Sequence, residues 1–562
     1  MKYIGSFFRM NSISPKEIES QLLFFTRESI KHLVFESKCG VPISQKTLKK
    51  TLSESEYSKI KELNPVLAIY KKAKPNIYYS KHSKLWDETS FKKDILISSN
   101  ALMTLSLLKL AQYYKSFKNI DDKLYELSKT YVKIAKVQLD FYYENLRNAE
   151  GFFVDKKNIS NSNTSFPDLV EGQSAFSFAD QAYMMAAYYS YSKATEDPKE
   201  SETFKSFALE VLDMFEARKE FLYDESIEEC SNICYALNIM CAMSKNSKCK
   251  SLLLDMSDFI LSQYLDYGID EKDMSLATIT SINLFLTYNN TGLLTFKESF
   301  SDICKLFKSL FNEEMGTFIK PGDKKDIKYY NIESVLYLVN LMLYNKSKDD
   351  KSTDSLICNF FKQSIVHSSL MTSFPNPPNL DCAERYKHFS SNSSDLLDDL
   401  MFCLPDITTP ESNCIAPVYL KSTSYSKKKS EFASSKTNFE SFNNLFLDYI
   451  VLDLFLDDYL KFISPIPKHK TTSSKSKNDK KARGYRTMDD LEVKLPKSTS
   501  NKLKDVINTN VPLPTSSINM PTLDIEAVSV LNKKSNFEDS NIIDVSILND
   551  NLSTIDYEEL DQ

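Results

Sequence analysis

From about Phe91 the apolar and polar positions of this chain fall into a repeating couplet. A helix with apolar residues on every side comes first, a helix with one apolar stripe follows, and a short aromatic turn closes the unit. The stretch Ser174–Tyr189, SAFSFADQAYMMAAYY, shows the first type most plainly. Phe178, Ala182, Met185 and Tyr189 fall at i, i+4, i+7 and i+11, and Ala179, Tyr183, Ala186 and Ala187 fill the flanks. A helix without a polar face is buried in a large core or in a membrane. Its strongly polar residues, Asp180 and Gln181, lie in the first turn.

Five couplets are readable. They are Ser98–Tyr114 with Asp122–Leu146, Ser177–Ala194 with Phe204–Ala217, Ile227–Met243 with Leu252–Tyr264, Asp273–Tyr288 with Phe296–Phe311, and Asn331–Tyr344 with Asp354–Ser369. The first four close on Gly151–Asp155, Phe221–Asp224, Tyr267–Asp270 and Gly316–Phe318. The closing residues Asp224, Asp270 and Phe318 stand 46 and 48 residues apart. The longer step from Asp155 to Asp224 contains the polar insert Asn158–Gly172. A period of this length marks helical-hairpin repeats. The apolar helices predict an inner ring, and the striped ones an outer ring with one solvated face.

This unit resembles that of the six-hairpin (α/α) toroids, the fold of many glycoside hydrolases, polysaccharide lyases and sugar epimerases. The closest local match is Phe311–Phe318, FNEEMGTF, which is similar to the turn by which those proteins leave an outer helix; Gly151–Asp155 is a second copy. The resemblance covers Phe91–Ser369 and extends towards Ile463. The opening MKYIGSFFRMNSIS and the Lys/Asn/Ile/Ser-rich usage also look like those of clostridial proteins, which implies no activity.

Outside the couplets the pattern changes. Ser14-Pro15-Lys16-Glu17 predicts a helix start, with Ser as cap and Pro in the first turn. Ile18, Leu22 and Phe25 continue along one face, and Cys39–Pro42 ends the segment. Leu67–Tyr70 reads as a short extended segment. After Ser373, Phe374–Asn379 is a break. Phe442–Ile463 is a strong amphipathic helix that would complete a sixth hairpin, with Asp395–Leu404 as its inner partner. From Pro465 the chain turns polar. Lys468–Arg486 holds eight basic residues against Asp479, and aromatics are few thereafter. Such a segment cannot offset its ordering entropy by burial, so a disordered tail is expected. The expected organisation is an all-α (α/α) toroid of five to six hairpins over 91–464, an N-terminal extension with one helix over 1–90, and a disordered tail over 465–562.

Composition narrows the chemistry. Nine glycines in 562 residues disfavour turn-rich β folds and phosphate loops. Neither GxGxxG nor GxxxxGK[ST] occurs, so no nucleotide cofactor is implied. The net charge of -6 does not mark a nucleic-acid binder, and a solvated linker explains the basic run. Asp448, Asp453, Asp457 and Asp458 argue against a bilayer span in the apolar stretch near 444–463. The opening residues lack a secretory h-region, and the ten scattered Cys suit reduced thiols, so a cytoplasmic setting is expected. Cys230, Cys234 and Cys241 share one helix and read as core thiols. Cys382, His388, Cys403 and Cys414 show no metal-site spacing, so no metal is expected. Between His82 and His367 there is no histidine, which disfavours the toroidal epimerases, whose resemblance implies inner-helix histidines. The absence of Cys-His, DDxxD and GxSxG disfavours lanthionine cyclases, terpene synthases and serine hydrolases.

In toroids of the kind this chain resembles, the mouth is lined by the N-terminal ends of inner helices. That selects Asp94, Asn100, Asp180, Gln181, Glu228, Glu229, Asp273 and Glu333. A glycosidase needs one protonated and one ionised carboxyl across a sugar, and Asp180 with Glu333 is the leading pair, each opening an otherwise apolar helix. First-turn acids also stabilise the positive end of a helix dipole. Gln181 and the aromatics Trp86, Tyr329 and Tyr330 are candidate sugar contacts, although aromatics more often fill cores. Two functions remain: carbohydrate binding or glycoside hydrolysis by paired carboxylates, and a non-catalytic helical scaffold whose tail recruits a protein partner.

Overall fold

The computed structural model describes residues 13–79, 84–160, 167–172, 176–268, 274–320, 325–348, 351–433 and 438–464. Twelve helices build a closed ring. In chain order they are α1 (Pro15–Lys31), α2 (Ile97–Lys115), α3 (Asp122–Asn145), α4 (Phe178–Ala194), α5 (Pro198–Ala217), α6 (Ile227–Ser244), α7 (Ser247–Tyr267), α8 (Ser275–Thr291), α9 (Leu294–Leu310), α10 (Asn331–Lys348), α11 (Lys351–Phe360) and α12 (Ser441–Ile463). The even-numbered helices form the inner ring: α2 packs on α4, α4 on α6, α6 on α8, α8 on α10, α10 on α12, and α12 on α2 again. Each odd-numbered helix backs one of them from outside. The protein is an all-α (α/α) toroid of six hairpins.

Burial follows the sequence pattern. Around α4, residues on every side are buried, from Phe178 through Tyr191. Around α9 only Phe296, Phe300, Ile303, Cys304 and Phe307 are buried, a single stripe at helical spacing. Each such phenylalanine contributes roughly 1.5–3 kcal/mol by leaving water. Buried amides then tie neighbouring inner helices: Asn283 Nδ2 of α8 donates to Ser231 O of α6 at 2.9 Å, and Asn340 Nδ2 of α10 to Thr278 O of α8 at 3.0 Å. The turn quoted for the resemblance is a two-stranded hairpin, Phe311–Asn312 against Thr317–Phe318.

The sixth hairpin differs from the one expected. Asp395–Leu404 is not an inner helix. It begins at the end of one short turn, Ser393–Asp395, holds another, Asp399–Met401, and covers α1, where Gln21 Nε2 donates to Leu400 O at 2.7 Å and the Phe24 and Phe402 rings meet at 5.4 Å. The inner helix is α12 itself, buried on all sides from Ser441 to Leu452 apart from Phe442 and Asn443. Its outer partner is α1, the helix expected in an N-terminal extension. Residues from both ends of the described chain therefore close the ring. The start of α1 is as read: Ser14 N donates to Glu17 Oε2 at 2.7 Å, and Glu17 N to Ser14 Oγ at 3.3 Å. Beyond a π-turn over His32–Glu36, Gly40–Pro42 pairs antiparallel with Val66–Ile69, which overlaps the extended segment expected over Leu67–Tyr70. A Cβ on Gly40 would stand 2.1 Å from Ala68 O, so that pairing needs glycine. The predicted tail, 465–562, lies outside the described residues.

Candidate functional site

The inner-helix N-termini carry two belts of side chains. The first is at the third residue of each inner helix: Ser99, Asp180, Glu229, Ala277, Glu333 and Asn443. All but Ala277 reach the inner helix before them in the ring. Ser98 N and Oγ of α2 both donate to Asp180 Oδ1, the backbone bond at 3.0 Å. Ala179 N and Ser177 Oγ, at the start of α4, donate to Glu229 Oε1 at 2.8 and 2.7 Å. Met274 N donates to Glu333 Oε2 at 3.1 Å, Asn443 Nδ2 to Asn331 Oδ1 at 3.0 Å, and Ser441 Oγ to Ser99 Oγ at 3.1 Å. Each carboxylate thus accepts from an orphan first-turn N–H of its neighbour and sits at the positive end of its dipole.

The second belt is one residue on. Asn100, Gln181 and Asn444 each clasp one residue of an incoming segment through both its backbone N–H and C=O. Their partners are Ile69, Phe153 and Tyr419, with N–H bonds of 2.8, 3.1 and 2.7 Å. Cys230 takes the same position in α6, its thiol donating to Leu222 O at 3.2 Å. These clasps pin the aromatic turns and rim segments onto the inner ring.

Asp180 is singular among the belt carboxylates. It is recessed but part-exposed. Burial pushes its pKa up to about 8, with the Asp155 and Glu229 carboxylates adding to the rise and the Ser98 bonds opposing it. Asp155 in turn accepts from Ile97 N at 2.9 Å. Three carboxyls therefore gather over the N-termini of α2 and α4, an arrangement that favours the protonated form of Asp180.

Glu333 is a different object. It is 0% exposed and takes Lys320 Nζ at 2.5 Å and Tyr330 N at 2.6 Å besides Met274 N. Burial raises its pKa, while Lys320 and the backbone donors pull it back. Lys320 also donates to Lys328 O at 3.0 Å and faces the Phe318, Tyr329 and Tyr330 rings. Asp180 on α4 and Glu333 on α10 are opposite members of the ring. The carboxylates that perturb Asp180 are Asp155 and Glu229, which sequence reasoning did not pair with it.

The expected sugar contacts are mostly committed elsewhere. Trp86 is 2% exposed; its Nε1 donates to His32 Nε2 at 2.7 Å, and its ring meets Phe439 edge-on at 5.0 Å. Tyr329 is buried, with its hydroxyl on Phe318 O at 2.9 Å. Gln181 is the buried clasp on Phe153. Tyr330 is part-exposed, with Lys328 Nζ 4.5 Å from its ring centre. Glu228 is exposed, and Asp94 lies on a rim strand paired with Lys157. Asp273 lies outside the described residues.

The opposite end of the ring also carries a concavity. A connected groove and cavity of about 2350 Å³ is lined there by Lys109 and Gln112 of α2, Ser190 of α4, Met243 of α6, and Asp453 and Asp457 of α12, and it continues along α3. Lys109 Nζ pairs with Asp453 at 2.7 Å, and Gln112 Nε2 donates to Asp457 Oδ1 at 3.2 Å. The sequence places the mouth at the helix N-termini and so does not point to this face; the signal available was Lys109 within the mostly apolar middle of α2. Among the described residues no group of three or more His, Cys, Asp or Glu side chains forms a metal site, and no helix is long and apolar enough to cross a membrane.

No family model and no curated protein matches the chain. Among solved structures, a D-mannose isomerase aligns over 73% of this chain and 98% of its own, at 11% identity and a TM-score of 0.41. The cellulase Cel9M of C. cellulolyticum aligns over 80% and 99%, at 10% identity and 0.39. A sugar epimerase from a ruminal bacterium aligns over 66% and 96%, at 12% identity and 0.37. At these values the alignments carry no argument, and the toroid rests on the helix packing described above.

Proposed function

We infer that this toroid is directed at carbohydrate and acts through the carboxyl cluster over α2 and α4, with Asp180 as general acid. The observation that carries the reading is a part-exposed carboxyl, Asp180, pushed towards its protonated form by burial and by two neighbouring carboxylates. Glycoside cleavage asks for this pairing of a proton donor with an ionised partner. Asp155 or Glu229 supplies the second carboxyl in this reading. Glu333 serves as a buried fastener, and Tyr330 is the aromatic left open to a sugar face. A cytoplasmic setting belongs to the same proposal.

The test is a thermal-shift screen with sugars and sugar phosphates, followed by turnover assays on any hit. A stabilising sugar whose turnover Asp180→Asn abolishes supports the reading. No shift with any sugar, or turnover untouched by Asp180→Asn, overturns it.

A second reading is favoured by the belts themselves. The same carboxylates knit the ring, which a non-catalytic scaffold also needs. There the tail, 465–562, recruits a protein partner. Pull-down with the full chain and with a chain ending at Ser464 separates the two: the scaffold predicts a partner lost with the tail and no sugar response.

A further inference from the structure

The α6–α7 hairpin holds a pair of thiols that neither belt uses. Cys241 lies in the last turn of α6 and Cys249 in the first turn of α7, with Lys245 in the left-handed region at φ 51° between them. One contact places them together. Cys249 Sγ lies 3.8 Å from Leu237 O, one helical turn before Cys241. A helical side chain leans back over the turn N-terminal to it, so this is the patch that Cys241 covers.

The two sulfurs differ in access and acidity. Cys249 is buried and Cys241 part-exposed. The neighbouring Cys249 thiol lowers the Cys241 pKa, with help from Lys250, and Cys241 in turn raises that of Cys249, with burial adding to the rise. Most other described cysteines lack this arrangement: burial raises Cys39, Cys230, Cys234, Cys304, Cys358, Cys382 and Cys403, with no thiol as hydrogen-bond partner.

We propose that Cys241 and Cys249 are a redox-active dithiol, with Cys241 attacking and Cys249 resolving, and that a low-molecular-weight disulfide such as oxidised glutathione is the oxidant. The Cys241 thiolate attacks one glutathione sulfur, the glutathione S–S bond breaks, and a glutathione thiolate leaves and takes up a proton. Cys249 then gives up its proton and attacks the Cys241 sulfur, releasing the second glutathione as a thiol. Two protein thiols become one disulfide while one glutathione disulfide becomes two thiols. The product staples the α6–α7 turn beside Ile239, Ala242 and Met243, which line the cavity at this end of the ring.

The test uses the full chain, reduced and then exchanged into oxidised glutathione, with intact mass and peptide mapping after alkylation. The expected product is lighter by about 2 Da, the two hydrogens of a dithiol, with a crosslink mapping to Cys241 and Cys249 and reversed by reduced glutathione. Cys249→Ala should stop at a mixed disulfide on Cys241, and Cys241→Ser should give neither product at this pair. Circular dichroism of both variants separates lost chemistry from lost fold. No mass change, a stable mixed disulfide on the unsubstituted protein, or a crosslink that survives Cys249→Ala would overturn the proposal.

Discussion

Five hairpins of this ring are contiguous in sequence, and the sixth is assembled from α1 and α12, 410 residues apart from Lys31 to Ser441. The contrast separates local from global demands. A contiguous hairpin such as α8–α9 is joined by a short turn at Gly292 and forms with little loop entropy. The α1–α12 pair forms only when the intervening hairpins have brought its halves together. Its seam is correspondingly specialised. Ser29 Oγ of α1 donates to Asp448 Oδ2 of α12 at 3.1 Å. Arg27 reaches Glu384 and, at 3.0 Å, Tyr113 OH, both buried. Phe25 meets Phe374 at 5.5 Å and Tyr419 at 5.0 Å.

The largest expected effects come from emptying matched core positions in the two kinds of hairpin. Phe25→Ala on α1 and Phe300→Ala on α9 each remove a buried phenylalanine, at about 3–5 kcal/mol. Hydrogen exchange should tell them apart. Phe25→Ala should raise exchange in α1 and α12 and spread into α2 and α10, because the ring opens. Phe300→Ala should raise it mainly in α8 and α9. Equal spreading from both sites would break the comparison.

Lys320→Met comes next, at about 3 kcal/mol, since it leaves Glu333 buried without its cation. The bonds from Tyr330 N and Met274 N to Glu333 remain and limit the loss. Adding Glu333→Gln should recover part of it. Urea titration of the single and double variants checks this, and a double variant less stable than Lys320→Met would mean that Glu333 does more than answer Lys320.

The ring was legible in sequence where a helix and its partner are neighbours. Phe178–Tyr191 and the stripe from Phe296 to Phe307 carry their inner and outer roles in their periodicity. The same rule would have put α12 inside, because Leu445–Leu452 is apolar almost throughout. Asp395–Leu404 reads as its partner only by adjacency, since periodicity reports a helix's environment but not which distant segment supplies it. The site was half legible for a similar reason. Polar first turns single out Asp180 and Glu333 as special, but the pattern cannot say that Ser98 answers one and Lys320 the other. Trp86 was misleading because a lone tryptophan has no period at all; its partner His32 lies 54 residues away.

A smaller effect probes the seam by pH. Burial holds the Asp448 pKa well above the usual carboxylate range, with the Ser29 bond opposing the rise. The folded state therefore keeps a proton that the unfolded chain gives up near pH 4. Stability from this group is complete below that pH and declines as pH rises towards the folded value. Asp448→Asn keeps an acceptor for Ser29 and removes the titration. Its melting temperature, measured against wild type from pH 5 to 9, should gain relative to wild type as pH rises. A difference independent of pH would place a charge, not a proton, at Asp448.

The smallest stability effect should belong to Asp180, and sugar turnover set beside its pH course decides between the two functions. Asn at this position still accepts from Ser98 N and Oγ, so the belt link to α2 survives and about 1 kcal/mol or less is at stake near pH 5. Wild-type Asp180 carries its proton up to about pH 8 in the fold and loses it near pH 4 when unfolded. Wild-type stability should thus fall between those values as pH rises, because the folded state binds the extra proton, while Asp180→Asn shows no such slope. The melting temperatures should cross, with the variant ahead on the alkaline side. A scaffold predicts that crossing and nothing more. A general acid predicts in addition a loss of sugar turnover on the order of 10²–10⁴-fold at every pH, including pH 5, where the two proteins are almost equally stable. A turnover loss that follows melting temperature across the pH range would assign Asp180 to the ring alone.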